Sequence, residues 1–161
     1  MIRVVSIGEM IVSGDAEDVL VAYGLGSCVA VCLYDPAAQV GGMLHALLPT
    51  PLDESKDGRH PTKFVDRGVP LLVDALLKLG ARRFRLTAKL CGGARLLAAA
   101  GFDMMDIGER NVQAAEAALQ AMNFQIQARA TGGYMGRTVR LYLADGTVTV
   151  KTIESSERAL T

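Results

Sequence analysis

Tryptophan is absent and aromatic residues are sparse, with four Phe and four Tyr in 161 residues. That scarcity removes the stacking platforms on which proteins hold single-stranded nucleic acid. An excess of charge is missing too: seventeen Lys and Arg offset seventeen Asp and Glu. Nucleic-acid binders carry a basic excess on one face, so no nucleic-acid partner is expected. No apolar run reaches the ~18 residues of a membrane span, and the N-terminal segment has no signal-peptide pattern. A soluble, cytoplasmic protein without membrane insertion is therefore expected. Cysteine is limited to Cys28, Cys32 and Cys91, with no CxxC spacing. This spacing argues against a zinc site and makes reduced thiols the default.

Half of the residues are apolar, and a chain of this length buries roughly two-thirds of its unfolded surface. A single domain over residues 1–161 is expected, with a polar C-terminal tail from about residue 154. β-Branched and apolar runs predict strands over 2–7, 18–23, 28–34 and 40–48. The short 35–39 connection makes the last two a hairpin. Residues 49–61, polar and bounded by Pro49 and Pro61, form the best candidate for a mobile loop. Val65, Val69, Leu72, Leu76 and Leu79 then recur at helical spacing up to Gly80, with Pro70 expected to open or kink that helix. A strand over 84–89, a turn at Cys91-Gly92-Gly93 and a short helix over 94–100 stopped by Gly101 follow. A second long helix begins near Gly108. Strands over 124–130, 139–143 and 147–153 complete the chain, the last two joined at Asp145-Gly146. Strands in blocks, rather than in regular alternation with helices, indicate an α+β fold.

Chemistry concentrates at Gly24-Leu25-Gly26-Ser27-Cys28. A dinucleotide fingerprint would need a third glycine and a following helix, and a P-loop would end in Lys-Ser/Thr; neither is present. Such a turn can still present Cys28 at the start of a strand and aim main-chain N–H groups at a carbonyl oxygen. The plainer alternative is that Cys28 is a small buried hydrophobe. Cys32, in wholly apolar surroundings, and Cys91, before a glycine pair, read as structural.

His45 lies in the apolar run Met43 to Leu48, either as a satisfied core histidine or as a partner of Cys28. A hairpin register that opposes Cys28 to Ala46 puts His45 one position off, within reach of Cys28 given a bulge at Gly41-Gly42. A neighbouring imidazole can take the thiol proton and generate the nucleophilic thiolate. His60 falls in the polar loop and reads as solvated.

Gly24-Leu25-Gly26-Ser27-Cys28-Val29, followed by His45 and Leu48-Pro49, resembles the CheD family of chemoreceptor glutamine deamidases. The likeness continues in Ala88-Lys89-Leu90-Cys91-Gly92-Gly93-Ala94, in Ile107-Gly108-Glu109-Arg110-Asn111-Val112, and in Thr131-Gly132-Gly133 with Gly136-Arg137, spanning about residues 2–153. The resemblance implies a two-sheet β-sandwich flanked by helices, similar to certain deamidating bacterial toxins. It also implies a cysteine-dependent amidohydrolase, with Cys28 as nucleophile, His45 as general base and acid, and turn N–H groups around Gly26 and Ser27 facing the oxyanion. The implied substrates are glutamines of chemoreceptor cytoplasmic domains, converted to glutamate through a thioester on Cys28 without metal or organic cofactor. A CheC-type phosphatase is an implied partner. Two positions depart from the family pattern. Ala22 stands where a threonine or serine orients the histidine, and Ala130 where an acidic residue is frequent. Tyr23 points to the opposite strand face and Ser27 sits in the turn, so neither replaces the missing hydroxyl. A backbone carbonyl could hold the imidazole instead, and the orienting residue is left unassigned. The competing reading is an adaptor that keeps the scaffold and binds receptors or phosphatase without efficient chemistry.

Overall fold

Runs of β-branched and apolar residues punctuated by Gly, Asp and Pro become strands here, in a computed structural model that describes residues 1–95 and 106–161. The strands are β1 (Ile2–Val4), β2 (Glu9–Ser13), β3 (Val19–Leu25), β4 (Val29–Asp35), β5 (Val40–Ala46), β6 (Thr87–Gly92), β7 (Ile126–Thr131), β8 (Arg137–Tyr142), β9 (Val148–Lys151) and β10 (Arg158–Ala159). Among the described residues they form two five-stranded sheets, ordered β1-β3-β8-β9-β10 and β2-β5-β4-β6-β7. Both sheets are mixed, since β1 runs parallel to β3 and β6 parallel to β7. The helices are α1 (Glu54–Asp57), α2 (Val65–Lys78) and α3 (Ile107–Ala121). This is the expected α+β, two-sheet architecture. Among the described residues no helix is long and apolar enough to cross a membrane.

Every residue of β4 and β5 is buried, because the second sheet is covered on both faces. Alternate residues divide between two cores, as the twofold period of a strand requires. Ala30, Cys32 and Met43 pack towards the first sheet with Leu20, Val139 and Leu141. Val31, Leu33 and Leu44 pack beneath the helices with Val69, Leu72 and Leu119.

Several expectations are corrected by tertiary contacts. The segment Glu9–Ser13, unassigned from sequence, is a strand along the far edge of β5. Its five residues between Gly8 and Gly14 are too few to show a period, and pairing with β5 makes the strand. Phe84 is not in a strand: Arg83–Arg85 form a 3-10 turn, in which the Arg85 guanidinium reaches the buried Asp35 carboxylate at 2.9 Å. The 49–61 segment is not wholly irregular, since Asp53 caps the single turn of α1 through the Ser55 N–H. Pro70 lies inside α2 rather than opening it; its missing N–H forgoes only the bond to the Asp66 carbonyl. The polar tail is partly tied down, because β10 pairs with β9 and Leu160 is buried. The short helix expected over 94–100 and its stop at Gly101 lie outside the described residues, except for Ala94 and Arg95, which are irregular.

The β4–β5 hairpin differs in register from the one expected by a single residue. Val29 faces Ala46 and Ala30 faces His45, with continuous pairing to Asp35–Val40 and no bulge. Gly41 and Gly42 serve close packing instead: a Cβ on Gly42 would lie 2.7 Å from Val12 Cγ1 and 2.9 Å from Leu72 Cδ1. Asp35 closes the turn by accepting the N–H groups of Ala37 and Ala38. Burial alone would raise its carboxyl, but the Arg85 guanidinium and the N–H groups of Arg82, Ala38 and Ala37 hold the pKa at about 2.

Candidate active site

The shift of one residue decides which side of the sheet each candidate occupies, because neighbouring residues in a strand point to opposite faces. With Ala30 opposite His45, the residues sharing the imidazole's face on β4 are Ala30 and Cys32, and Cys28 continues that row. Cys28 belongs to the apolar cluster between the sheets together with Ala30, Cys32 and Met43. Cys28 and His45 therefore meet the same inter-sheet interior, without the bulge that the other register required.

Cys28 lies in the turn after β3, immediately before β4, and is 6% exposed. Two main-chain hydrogen bonds and one glycine conformation fix this turn. The Cys28 carbonyl accepts the Gly93 N–H at 2.9 Å, the Gly26 carbonyl accepts the Ala94 N–H at 2.8 Å, and Gly24 takes φ +61°. Gly92, at φ +108°, passes so close that a Cβ there would lie 2.2 Å from the Cys28 carbonyl oxygen. Only glycine permits both the positive φ and that approach. Burial pushes the Cys28 thiol pKa up, with its own main-chain N–H acting in the other direction.

His45 is 2% exposed, and its Nδ1 lies 2.9 Å from the Val5 carbonyl oxygen. A carbonyl only accepts, so Nδ1 carries the proton and Nε2 holds the lone pair. Nε2 is buried without a hydrogen-bond partner among the described residues. Burial lowers the imidazole pKa, opposed by the Val5 carbonyl and by Glu9. Burial thus favours the neutral form of both the thiol and the imidazole, and Nε2 is left available.

The Val5 carbonyl comes from the passage between β1 in the first sheet and β2 in the second. There the Val5 N–H bonds to Val21 and the Gly8 N–H bonds to the His45 carbonyl, both at 2.8 Å. Ala22 is fully buried in the inter-sheet cluster and supplies no polar atom. Tyr23 is half-exposed on the other face, with the Arg140 guanidinium 5.9 Å from its ring centroid. Ser27 is half-buried, and His60 is exposed.

Cys32 and Cys91 lie in the core. Burial drives the Cys32 thiol well above its usual range and Cys91 to about 12. Ala130 pairs with Cys91 across β6–β7 and is buried. No group of three His, Cys, Asp or Glu side chains fit to hold a metal occurs among the described residues.

One residue without an assigned role in the sequence reading stands at the centre of this arrangement. Asn111, fully buried on α3, donates from Nδ2 to the Ser27 carbonyl at 2.8 Å and to the Leu47 carbonyl at 3.0 Å. The sequence signal for it is a polar residue on the otherwise apolar stripe Gly108, Ala115 and Leu119.

Comparison with known proteins places the chain among named relatives. A family model described as CheD chemotactic sensory transduction matches residues 47–152. A relative from Pyrococcus abyssi, named a probable chemoreceptor glutamine deamidase CheD, is 46% identical, covering 92% of this chain and 90% of its own. One of the same name from Symbiobacterium thermophilum is 43% identical, covering 99% and 97% respectively. A third, from Geobacter metallireducens and named a probable chemoreceptor glutamine deamidase CheD 2, is 40% identical over 99% of this chain and all of its own.

Proposed function

The chain belongs to the CheD family, and from that premise we propose that it hydrolyses selected glutamine side chains of chemoreceptors to glutamate, with Cys28 as nucleophile and His45 as general base. The observation that carries the residue assignment is the Val5 carbonyl, which leaves His45 Nε2 as a buried base on the face of the sheet that Cys28 shares.

In this reading Nε2 takes the Cys28 thiol proton as sulfur attacks the carboxamide carbon. The carbonyl oxygen becomes an oxyanion stabilised by main-chain N–H groups of the Gly26-Ser27 turn, which its carbonyl contacts with the 92–94 segment hold still. Collapse breaks the C–N bond, and the imidazolium returns its proton to the departing nitrogen. Ammonia leaves, and a thioester remains on Cys28. His45 then deprotonates a water that attacks the thioester carbon. The glutamate product departs, and the thiol is restored with the proton that His45 holds. Because burial favours the neutral form of each group, His45 acts in this reading as a base during attack rather than holding a preformed thiolate.

The chemistry needs no cofactor. The substrates are chemoreceptor cytoplasmic domains, so the reaction belongs in the cytoplasm, with residues 1–161 acting as one domain. A CheC-type phosphatase that occupies the same site would compete with them. The test is ammonia release from a purified receptor cytoplasmic fragment, with each conversion located by mass spectrometry. Release that requires both Cys28 and His45 is expected. Binding of the fragment without release would overturn the proposal and favour the adaptor reading, which rests on Ala22.

A further inference from the structure

Two main-chain carbonyls flanking the candidate pair converge on one nitrogen. Ser27, whose carbonyl precedes Cys28, and Leu47, two residues beyond His45, both accept from Asn111 Nδ2, at 2.8 and 3.0 Å. We propose that Asn111 is the positioning residue that locks the Cys28 turn to the end of the His45 strand, and so sets the separation of thiol and imidazole. This inference rests on the deamidase reading of the site.

Paired contacts hold Ala30 opposite His45, but the pairing of β4 with β5 ends at Val29–Ala46. Beyond that point the chains enter the turn at Ser27 and the segment at Leu47, where no ladder fixes their spacing. Asn111 spans this gap from outside the sheet. An amide nitrogen has two hydrogens, and both are taken by carbonyl oxygens. The reverse orientation would set the amide oxygen against two carbonyl oxygens, so the geometry selects nitrogen. A carboxylate of the same shape would repel both acceptors.

The helix carrying Asn111 is itself held tightly against the site. A Cβ on Gly108 would lie 2.5 Å from the Ala94 carbonyl and 2.6 Å from the Gly93 carbonyl. Gly93 and Ala94 are the residues whose N–H groups hold Cys28 and Gly26. Gly108 thus packs on the segment that holds the Cys28 turn, while Asn111 binds the turn itself at Ser27 and the residue just past the end of the histidine strand at Leu47.

The isosteric Asn111→Asp and the truncated Asn111→Ala variants test the assignment through two readouts. The first is receptor-fragment deamidation, with kcat expressed per folded molecule. A fall of about 100-fold with little change in KM is expected, as for a misplacement on the order of 1 Å. The second is the pH profile of Cys28 alkylation by iodoacetamide, which needs no substrate; the aspartate variant is expected to react more slowly and to need higher pH. Wild-type kcat and a wild-type alkylation profile in both variants would overturn the proposal. Wild-type protein that releases no ammonia defeats the deamidase reading alone, because the alkylation profile still reports whether Asn111 controls Cys28. Should both variants fail to fold, exchange of the Asn111 side-chain amide protons in the wild-type protein decides. Slow exchange of both supports the bridge, and exchange at the rate of a free amide overturns it.

Discussion

His45 Nδ1 lies 2.9 Å from the carbonyl oxygen of Val5, a contact between the passage joining the two sheets and the strand beside it. It fixes the imidazole's tautomer and its tilt, and so fills the orienting role that the family resemblance gives to a hydroxyl at position 22. The orienting group here is main chain, so it is insensitive to which side chain occupies position 5.

Ala22→Thr should therefore give little. The imidazole Nδ1 already has its acceptor, and Ala22 is fully buried, so the added atoms overpack the core at a cost of about 1–3 kcal/mol. Deamidation kinetics should show kcat raised by less than about threefold, under about 0.7 kcal/mol of barrier, with a lower melting temperature. A rise of about tenfold or more would mean that the Val5 carbonyl orients His45 poorly.

Cys28→Ala should abolish ammonia release while leaving the fold intact, since the side chain removed is small. In the wild-type protein, burial raises the thiol above its ordinary value of 9.0, so the thiol form persists to higher pH than in a free cysteine. Alkylation of Cys28 should be slow near neutrality and accelerate through the alkaline range, as followed by mass spectrometry. A rate that levels off below pH 7 would indicate a thiolate–imidazolium pair instead.

Stability should depend on His45 in a defined direction. Its folded pKa is lowered from 6.5, first by burial, so on acidification the unfolded chain takes up the proton before the folded one does. The contribution of this neutral buried imidazole is complete above about pH 6.5 and is lost as pH falls through the folded value. Urea unfolding between pH 5 and 8 should show this decline in the wild-type protein and a flatter profile in His45→Gln. An equal slope in both would assign the decline to other groups.

Gly92 and Gly80 separate backbone strain from close approach. Both have strongly positive φ, +108° and +102°, yet a Cβ at position 80 meets nothing within 4 Å, whereas one at 92 lies 2.2 Å from the Cys28 carbonyl. Gly80→Ala should cost about 1 kcal/mol of stability and leave kcat unchanged. Gly92→Ala should cost more and also lower kcat, because the Cys28 turn must move. Denaturant unfolding alongside deamidation kinetics checks both, and equal kinetics in the two variants would remove Gly92 from the site.

Much of this protein is legible locally. The apolar run from Cys28 to Tyr34 and the helical spacing of Val65, Val69, Leu72 and Leu76 identify β4 and α2, because each pattern follows from the geometry of one element. Asp145-Gly146 marks the β8–β9 turn for the same reason, with Gly146 at φ +79°. The Gly24–Cys28 motif and His45 stand out because a glycine-framed thiol and a histidine in an apolar strand are chemically unusual residues for their surroundings.

What the sequence determined alone is therefore most of the long elements, the α+β class and the two side chains on which chemistry is proposed. The short α1 escapes it, and β2 and β10 emerge only with their tertiary partners. Tertiary structure decided how those side chains are disposed. Whether His45 shares a face with Cys28 turns on one residue of register, which Asp35 in the turn and the packing at Gly41 and Gly42 help to set across the chain. The orientation of the imidazole depends on a carbonyl forty residues away in sequence, at Val5. The tie between Ser27 and Leu47 depends on an amide from α3. A carbonyl is the same group at every residue, so no side-chain pattern marks which one will act; only the folded path of the backbone selects it.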